Sequence, residues 1–172
     1  ETGDEASLAP LPQSTERAHG AAQLAADAIA ALDLAPRAYR DGRGGLQLGA
    51  TTVRRIAAEL HTEQAVLSPL FEWMLALGLC SPVADAMRPT AAGRVFGLSA
   101  PLSRWRQLAE CWLAELRVED RAGVLTDSKS YATPQTELLG LTVEGQLSQL
   151  GLLLTHDDLG AAADLLAASL PE

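Results

Sequence analysis

Apolar residues along this chain recur mostly at the three- and four-residue steps of an α-helix, and that period divides it into elements. The first is "STERAHGAAQLAADAIAALDL", where Ser14 or Thr15 is placed to cap and Leu24, Ala25, Ile29 and Leu32 share a face. It should end before Pro36, which disfavours helical geometry in the residue ahead of it. A second helix is expected over "ATTVRRIAAEL", with Thr51 or Thr52 as cap, Val53, Ile56, Ala57 and Leu60 inward, and Arg54 and Arg55 on the other side. A third, "EQAVLSPLFEWMLALGL", turns Val66, Leu67, Leu70, Phe71, Met74 and Leu75 inward and breaks at Gly78. Pro69 inside it should cost a hydrogen bond or bend it.

The fourth helix, "PLSRWRQLAECWLAELR", lines Leu102, Trp105, Leu108, Ala109, Trp112 and Leu116 along one stripe. Its two tryptophans stand seven residues apart, two helical turns, so both rings face one way and read as core. Near the end, "HDDLGAAADLLAASL" closes as a helix capped by Asp157 or Asp158, with Leu159, Ala162, Leu165 and Leu166 inward.

Between these helices, "PRAYRDGRGGLQLG" reads as a glycine-rich loop with a strand stub, and Leu79 to Thr90 suits a small hairpin. Helix, short turn, helix, hairpin is the order of a winged helix. A second cycle follows, with a hairpin turn at Glu144-Gly145 and "LSQLGLLL" restarting a helix. The expected fold is therefore mainly α: about six helices in winged-helix-like helical lobes, with one or two short β-hairpins. The expected domains are a disordered lead-in over 1–14, a winged-helix-like lobe over 15–117, a mobile polar linker over 118–134 and a second small lobe over 135–172. Glu1–Gly3, without a methionine, read as a remnant of cleavage or fusion.

Composition supports the helices: 48% of the 172 residues are hydrophobic, with alanine and leucine dominant and only 4% aromatic. Charge refines the picture. The net charge of −9 disfavours nucleic acid over the whole surface, yet it divides into −5 over residues 1–36, +4 over 37–106 and −8 over 107–172. Any DNA contact should then come from Arg37, Arg40 and Arg43 in the glycine loop, Arg54 and Arg55 on the second helix, and Arg104 and Arg106 beside Trp105. The third helix, which would enter a groove in a winged helix, offers Glu63, Gln64, Ser68, Glu72 and Trp73 instead of bases. Contact through phosphates is expected, and base readout is not.

The chemistry of catalysis is not legible. Cys80 and Cys111 fit no metal spacing and read as reduced thiols. His19, His61 and His156 are far apart, and helix capping accounts for the aspartates of "THDD" without a metal. "DGRGG" lacks the Lys-Ser/Thr of a phosphate loop. Neither a cofactor nor a metal is expected. With no long apolar run and no secretory leader, a cytoplasmic location off the membrane is expected.

Three stretches in order carry a resemblance: "LAPRAYRDGRGGLQLGATTVRRIAAELHTEQAVLSPLFEWMLALGLC", then "RPTAAGRVFGLSAPLSRWRQLAECWL", then "LLGLTVEGQLSQLGLLLTHDDLGAAADLLAASLPE". Together they resemble the central part of the actinobacterial helicase-associated domain proteins, which are related to the amino-terminal region of XPB-type repair helicases. The resemblance covers about Ala18 to Glu172 and implies an excised piece of a longer chain, without its helicase-like part. It also implies an accessory module in DNA repair, partnered by a helicase or by the rest of its parent protein; the residues themselves add that it is non-catalytic and that any DNA contact is weak and made to phosphates. A winged-helix transcription regulator reading a specific DNA site is the alternative.

Overall fold

A computed structural model describes residues 8–32, 38–40, 46–48, 50–83, 86–116, 118–127 and 131–169. It is mainly helical, with nine helices and three two-stranded antiparallel hairpins among the described residues. The chain divides into two compact units: Gln23–Ala100 forms one, and Glu1–Ala22 with Pro101–Glu172 forms the other. Helix α1 (Leu11–Leu32) contributes its first half to the discontinuous unit and its second half to the continuous one.

In the continuous unit, hairpin β1 (Ala38–Arg40) and β2 (Leu46–Leu48) precedes α2 (Ala50–Glu59) and α3 (Gln64–Ala76). The turn between α2 and α3 closes through hydrogen bonds from Leu60 N to Ile56 O and from Thr62 N to Ala57 O, with His61 left-handed at φ 57°. Val53, Ile56 and Ala57 of α2 are buried, as are Leu67, Leu70, Phe71, Trp73 and Met74 of α3. Helix α3 runs on through Pro69, forgoing the bond a missing N–H cannot make. It ends at Gly78, whose φ of +73° suits glycine. Strands β3 (Cys80–Val83) and β4 (Ala86–Pro89) then pair from Cys80 with Pro89 to Val83 with Ala86.

Helix α4 (Ala91–Leu98) follows at once because Thr90 Oγ1 accepts from Gly93 N at 3.0 Å and donates to Gly78 O at 2.7 Å. Gly93 is where α4 meets the unit: a Cβ there would stand 1.9 Å from the Leu79 carbonyl oxygen.

The discontinuous unit is built on α5 (Pro101–Glu115), which buries Trp105, Leu108, Ala109 and Trp112. Trp105 Nε1 donates to Leu139 O at 3.0 Å, so the indole is both packed and satisfied. Helices α6 (Val118–Thr126) and α7 (Pro134–Leu139) come next, and α7 opens with a capping box in which Thr133 and Thr136 satisfy each other's backbone. Gly140 ends α7 at φ +80°, against the carbonyl of Ser14, from which a Cβ would lie only 2.2 Å. Strands β5 (Thr142–Val143) and β6 (Gln146–Leu147) turn at Glu144 (φ 53°) and Gly145 (φ 83°), the two left-handed residues of a type I′ turn. Ser148 caps α8 (Gln149–Thr155), and Asp158 caps α9 (Leu159–Ala168) through Ala161 N at 3.1 Å.

Several expectations are corrected here. Helix α1 starts at Leu11, inside the expected lead-in; Ser14 and Thr15 hydrogen-bond back to the Leu11 carbonyl from within the helix and do not cap it. The segment expected as a mobile linker holds α6 and the start of α7, and the compact units part elsewhere. The glycine loop carries a paired hairpin in place of a lone stub, and α2 begins ahead of both its expected caps. Residues 1–7, including the expected remnant, lie outside the described residues.

Candidate nucleic-acid interface

Helix α2 presents its two arginines because of its period. With Val53, Ile56 and Ala57 committed to the core, Arg54 and Arg55 fall on the opposite side and are exposed. On α3 the same logic turns Ala65, Glu72 and Ala76 outward, with Glu63 exposed at its start. Trp73, expected on that outer face, is instead only 2% exposed. The outward surface of α3 is therefore small and acidic, which repels phosphate and supplies no base-reading cation.

The remaining arginines separate. Arg37 and Arg43 lie outside the described residues, and Arg40 pairs with Leu46 in the β1–β2 register. Arg106 is exposed on α5 in the discontinuous unit. Arg104 departs from the expectation: it is 5% exposed, and its Nε donates to the carbonyl of Ala22 at 2.8 Å. A guanidinium enclosed in this way holds the middle of α1 and is no surface for a phosphate. Trp105 and Leu108 have no exposed surface, Trp112 is 6% exposed, and Phe71 is 4% exposed, so none offers a face on which a base could stack.

Charge sorts with the units. In Gln23–Ala100 seven arginines balance seven carboxylates, so the chain's net charge of −9 belongs to the discontinuous unit. The positive middle segment thus spans two electrostatically different bodies.

Two polar arrangements were invisible in the sequence. The Glu137 carboxylate accepts from Arg17 Nη1 at 2.8 Å, Thr142 Oγ1 at 2.7 Å, and the Glu144 and Gly145 amides at 3.0 Å each. Burial raises its pKa, but these amide and hydroxyl donors and the Arg17 charge outweigh that and hold it below the usual carboxylate range. It fastens a turn, and its partners leave little room for a substrate. His19 Nε2 lies 2.9 Å from Ser169 Oγ beside a shallow depression lined by Leu11, Pro12, Thr15 and Glu16. Burial lowers the histidine pKa. Ser169 gives its own proton to Leu166 O at 2.6 Å, so the imidazole donates to this hydroxyl, the reverse of a base activating a nucleophile.

The thiols are equally quiet: burial pushes Cys80 up to about 11, and burial followed by Glu115 and Glu110 raises Cys111. In the "THDD" stretch, Asp158 caps α9, Asp157 pairs with Arg121, and His156 closes α8. Among the described residues, no three His, Cys, Asp or Glu gather as metal ligands, and no helix is long and apolar enough to cross a membrane. Compared with protein-family models, curated proteins and solved structures, the chain finds no match in any of the three.

Proposed function

We propose that this chain is a non-catalytic interaction module of a helicase-associated DNA-repair protein in the cytoplasm. It engages a protein partner, a helicase or the rest of its own parent, and touches DNA weakly through backbone phosphates. The observation that carries the phosphate reading is the exposed Arg54–Arg55 pair on α2, set beside an α3 whose outward face bears carboxylates. In a hairpin–helix–helix–hairpin order, the helix preceding the reader crosses the DNA backbone, and cations there add affinity without sequence preference. The link to helicases and to repair comes from the sequence resemblance.

The test is a salt titration on a short duplex. Weak binding with no preference among sequences is expected, and Arg54→Ala with Arg55→Ala should flatten the slope of log K against log salt by roughly 0.9 for each phosphate no longer neutralised. Arg106→Ala is the matching substitution on α5. Tight binding to one sequence would favour the transcription-regulator reading instead. Binding that both arginine variants leave unchanged would remove the phosphate contact.

A further inference from the structure

Two corners of this chain are built alike. Helix α3 gives way to Gly78 (φ +73°) and α7 to Gly140 (φ +80°), each followed by a buried leucine, Leu79 or Leu141. Each leucine amide reaches back into its helix, Leu79 N to Met74 O and Leu141 N to Thr136 O, both at 2.9 Å. A hairpin follows, and then a hydroxyl residue closes the corner. Thr90 N donates to Leu79 O at 3.0 Å, and Ser148 N to Leu141 O at 2.9 Å. Thr90 Oγ1 donates to Gly78 O at 2.7 Å, and Ser148 Oγ to Gly140 O at 2.5 Å. Both hydroxyls cap the next helix through the amide of a glycine three residues on, Gly93 or Gly151. A Cβ on either glycine would meet the leucine carbonyl oxygen, at 1.9 Å for Leu79 and 2.3 Å for Leu141. Matched bond for bond, β5–β6 is the counterpart of β3–β4, and α7 of α3.

The copies differ three residues before the first glycine, where Glu137 stands in place of Leu75. Its carboxylate takes both amides at the tip of its hairpin, Glu144 N and Gly145 N, together with Thr142 Oγ1 and Arg17 Nη1. Successive turn amides, a hydroxyl and a guanidinium are the donors that bind a phosphate. We propose that the second copy carries an oxyanion site at its hairpin, and that Glu137 fills this site from within as a stand-in for phosphate. The built-in carboxylate closes the site to outside anions. The proposal stands on the two corners and the donor set, and it holds whether or not α2 touches DNA.

The test empties the site in the full chain. Glu137→Ala removes the carboxylate and keeps the donors, and melts are run in sodium phosphate, sodium formate and sodium chloride at equal ionic strength. The wild type, whose site is filled, sets the general salt effect. Phosphate and formate should each raise the melting temperature of Glu137→Ala over chloride saturably, by about 2–4 °C more than they raise that of the wild type. Adding Arg17→Ala should return that rise to the wild-type value. If Glu137→Ala does not fold in chloride, recovery of its helical circular dichroism in formate or phosphate reads the same site. Equal shifts in both chains, or no recovery, overturns the anion site. The equivalence of the corners is tested by a graft in which Thr-Val-Glu-Gly-Gln-Leu, the sequence of residues 142–147, replaces residues 80–89 between Leu79 and Thr90. Leu75→Glu should raise the melting temperature of the graft, because it brings the clamp with it, and lower that of the unaltered chain, where it only charges a half-buried position. A graft that gains nothing from Leu75→Glu overturns the equivalence.

Discussion

Glu137 shows how one carboxylate can hold a local fold together. It joins α7, the β5–β6 turn and α1 through four donors, two of them backbone amides of the turn. Glu137→Gln keeps the shape but loses the charge, so a cost of about 1.5–3 kcal/mol is expected in urea unfolding. Because the folded pKa is depressed, this stability is fully present above the unfolded carboxylate value of about 4.3 and is lost as pH falls through the lower folded value. The wild-type chain should therefore lose more stability than the glutamine variant between about pH 5 and pH 3. Equal losses would show that other acids govern that range. At Trp105 packing and hydrogen bonding separate: Trp105→Ala should cost about 3–5 kcal/mol. Trp105→Phe should cost less, about 1–3 kcal/mol for the bond lost by the Leu139 carbonyl.

At the scale of elements, glycines of opposite character give a paired prediction. Gly20 sits inside α1 with open space where a Cβ would go, so Gly20→Ala should stabilise by about 0.5–1 kcal/mol. Gly140 adopts φ +80° against the Ser14 carbonyl, and Gly140→Ala should destabilise by more than that gain. Thermal melts of both variants check the two signs together. Much of this scale was legible in the sequence. The i, i+3, i+4 stripes place α2, α3, α5 and α9, and Glu144-Gly145 marks its turn, because period and turn chemistry are local. The start of α1 was missed because Ser14 and Thr15 have the chemistry of caps whether or not they cap. Helix α6 was missed because its polar sequence carries no stripe. Arg104 and Trp73 were assigned to surfaces because an arginine reads as solvated and a residue beside an apolar stripe reads as outside it. Only the packing reveals a guanidinium on the Ala22 carbonyl and a core face on α3 wide enough to include Trp73. Of the candidate interface, the outward arginines of α2 were predictable from period alone.

At the scale of the whole molecule, the tryptophans divide by unit: Trp73 is buried in the continuous unit, and Trp105 and Trp112 in the discontinuous one. This makes them separate reporters. Under tryptophan-selective excitation a Trp73→Phe chain reports only Trp105 and Trp112, and a chain with Trp105→Phe and Trp112→Phe only Trp73. Each should show its own denaturant midpoint if the two units form separate cooperative blocks. Glu137 lies in the discontinuous unit with its four donors, Arg17, Thr142, Glu144 and Gly145. Adding Glu137→Gln should therefore lower the Trp105/Trp112 midpoint while moving the Trp73 midpoint much less. The measurement is a urea titration followed by emission maximum, with and without Glu137→Gln in each reporter chain. Equal shifts in both would mean that α1, which contributes to both units, transmits the destabilisation in full and that the chain unfolds as one block. Unequal shifts would mean that the acidic unit can loosen while the neutral unit, with the α2 arginines, keeps its fold.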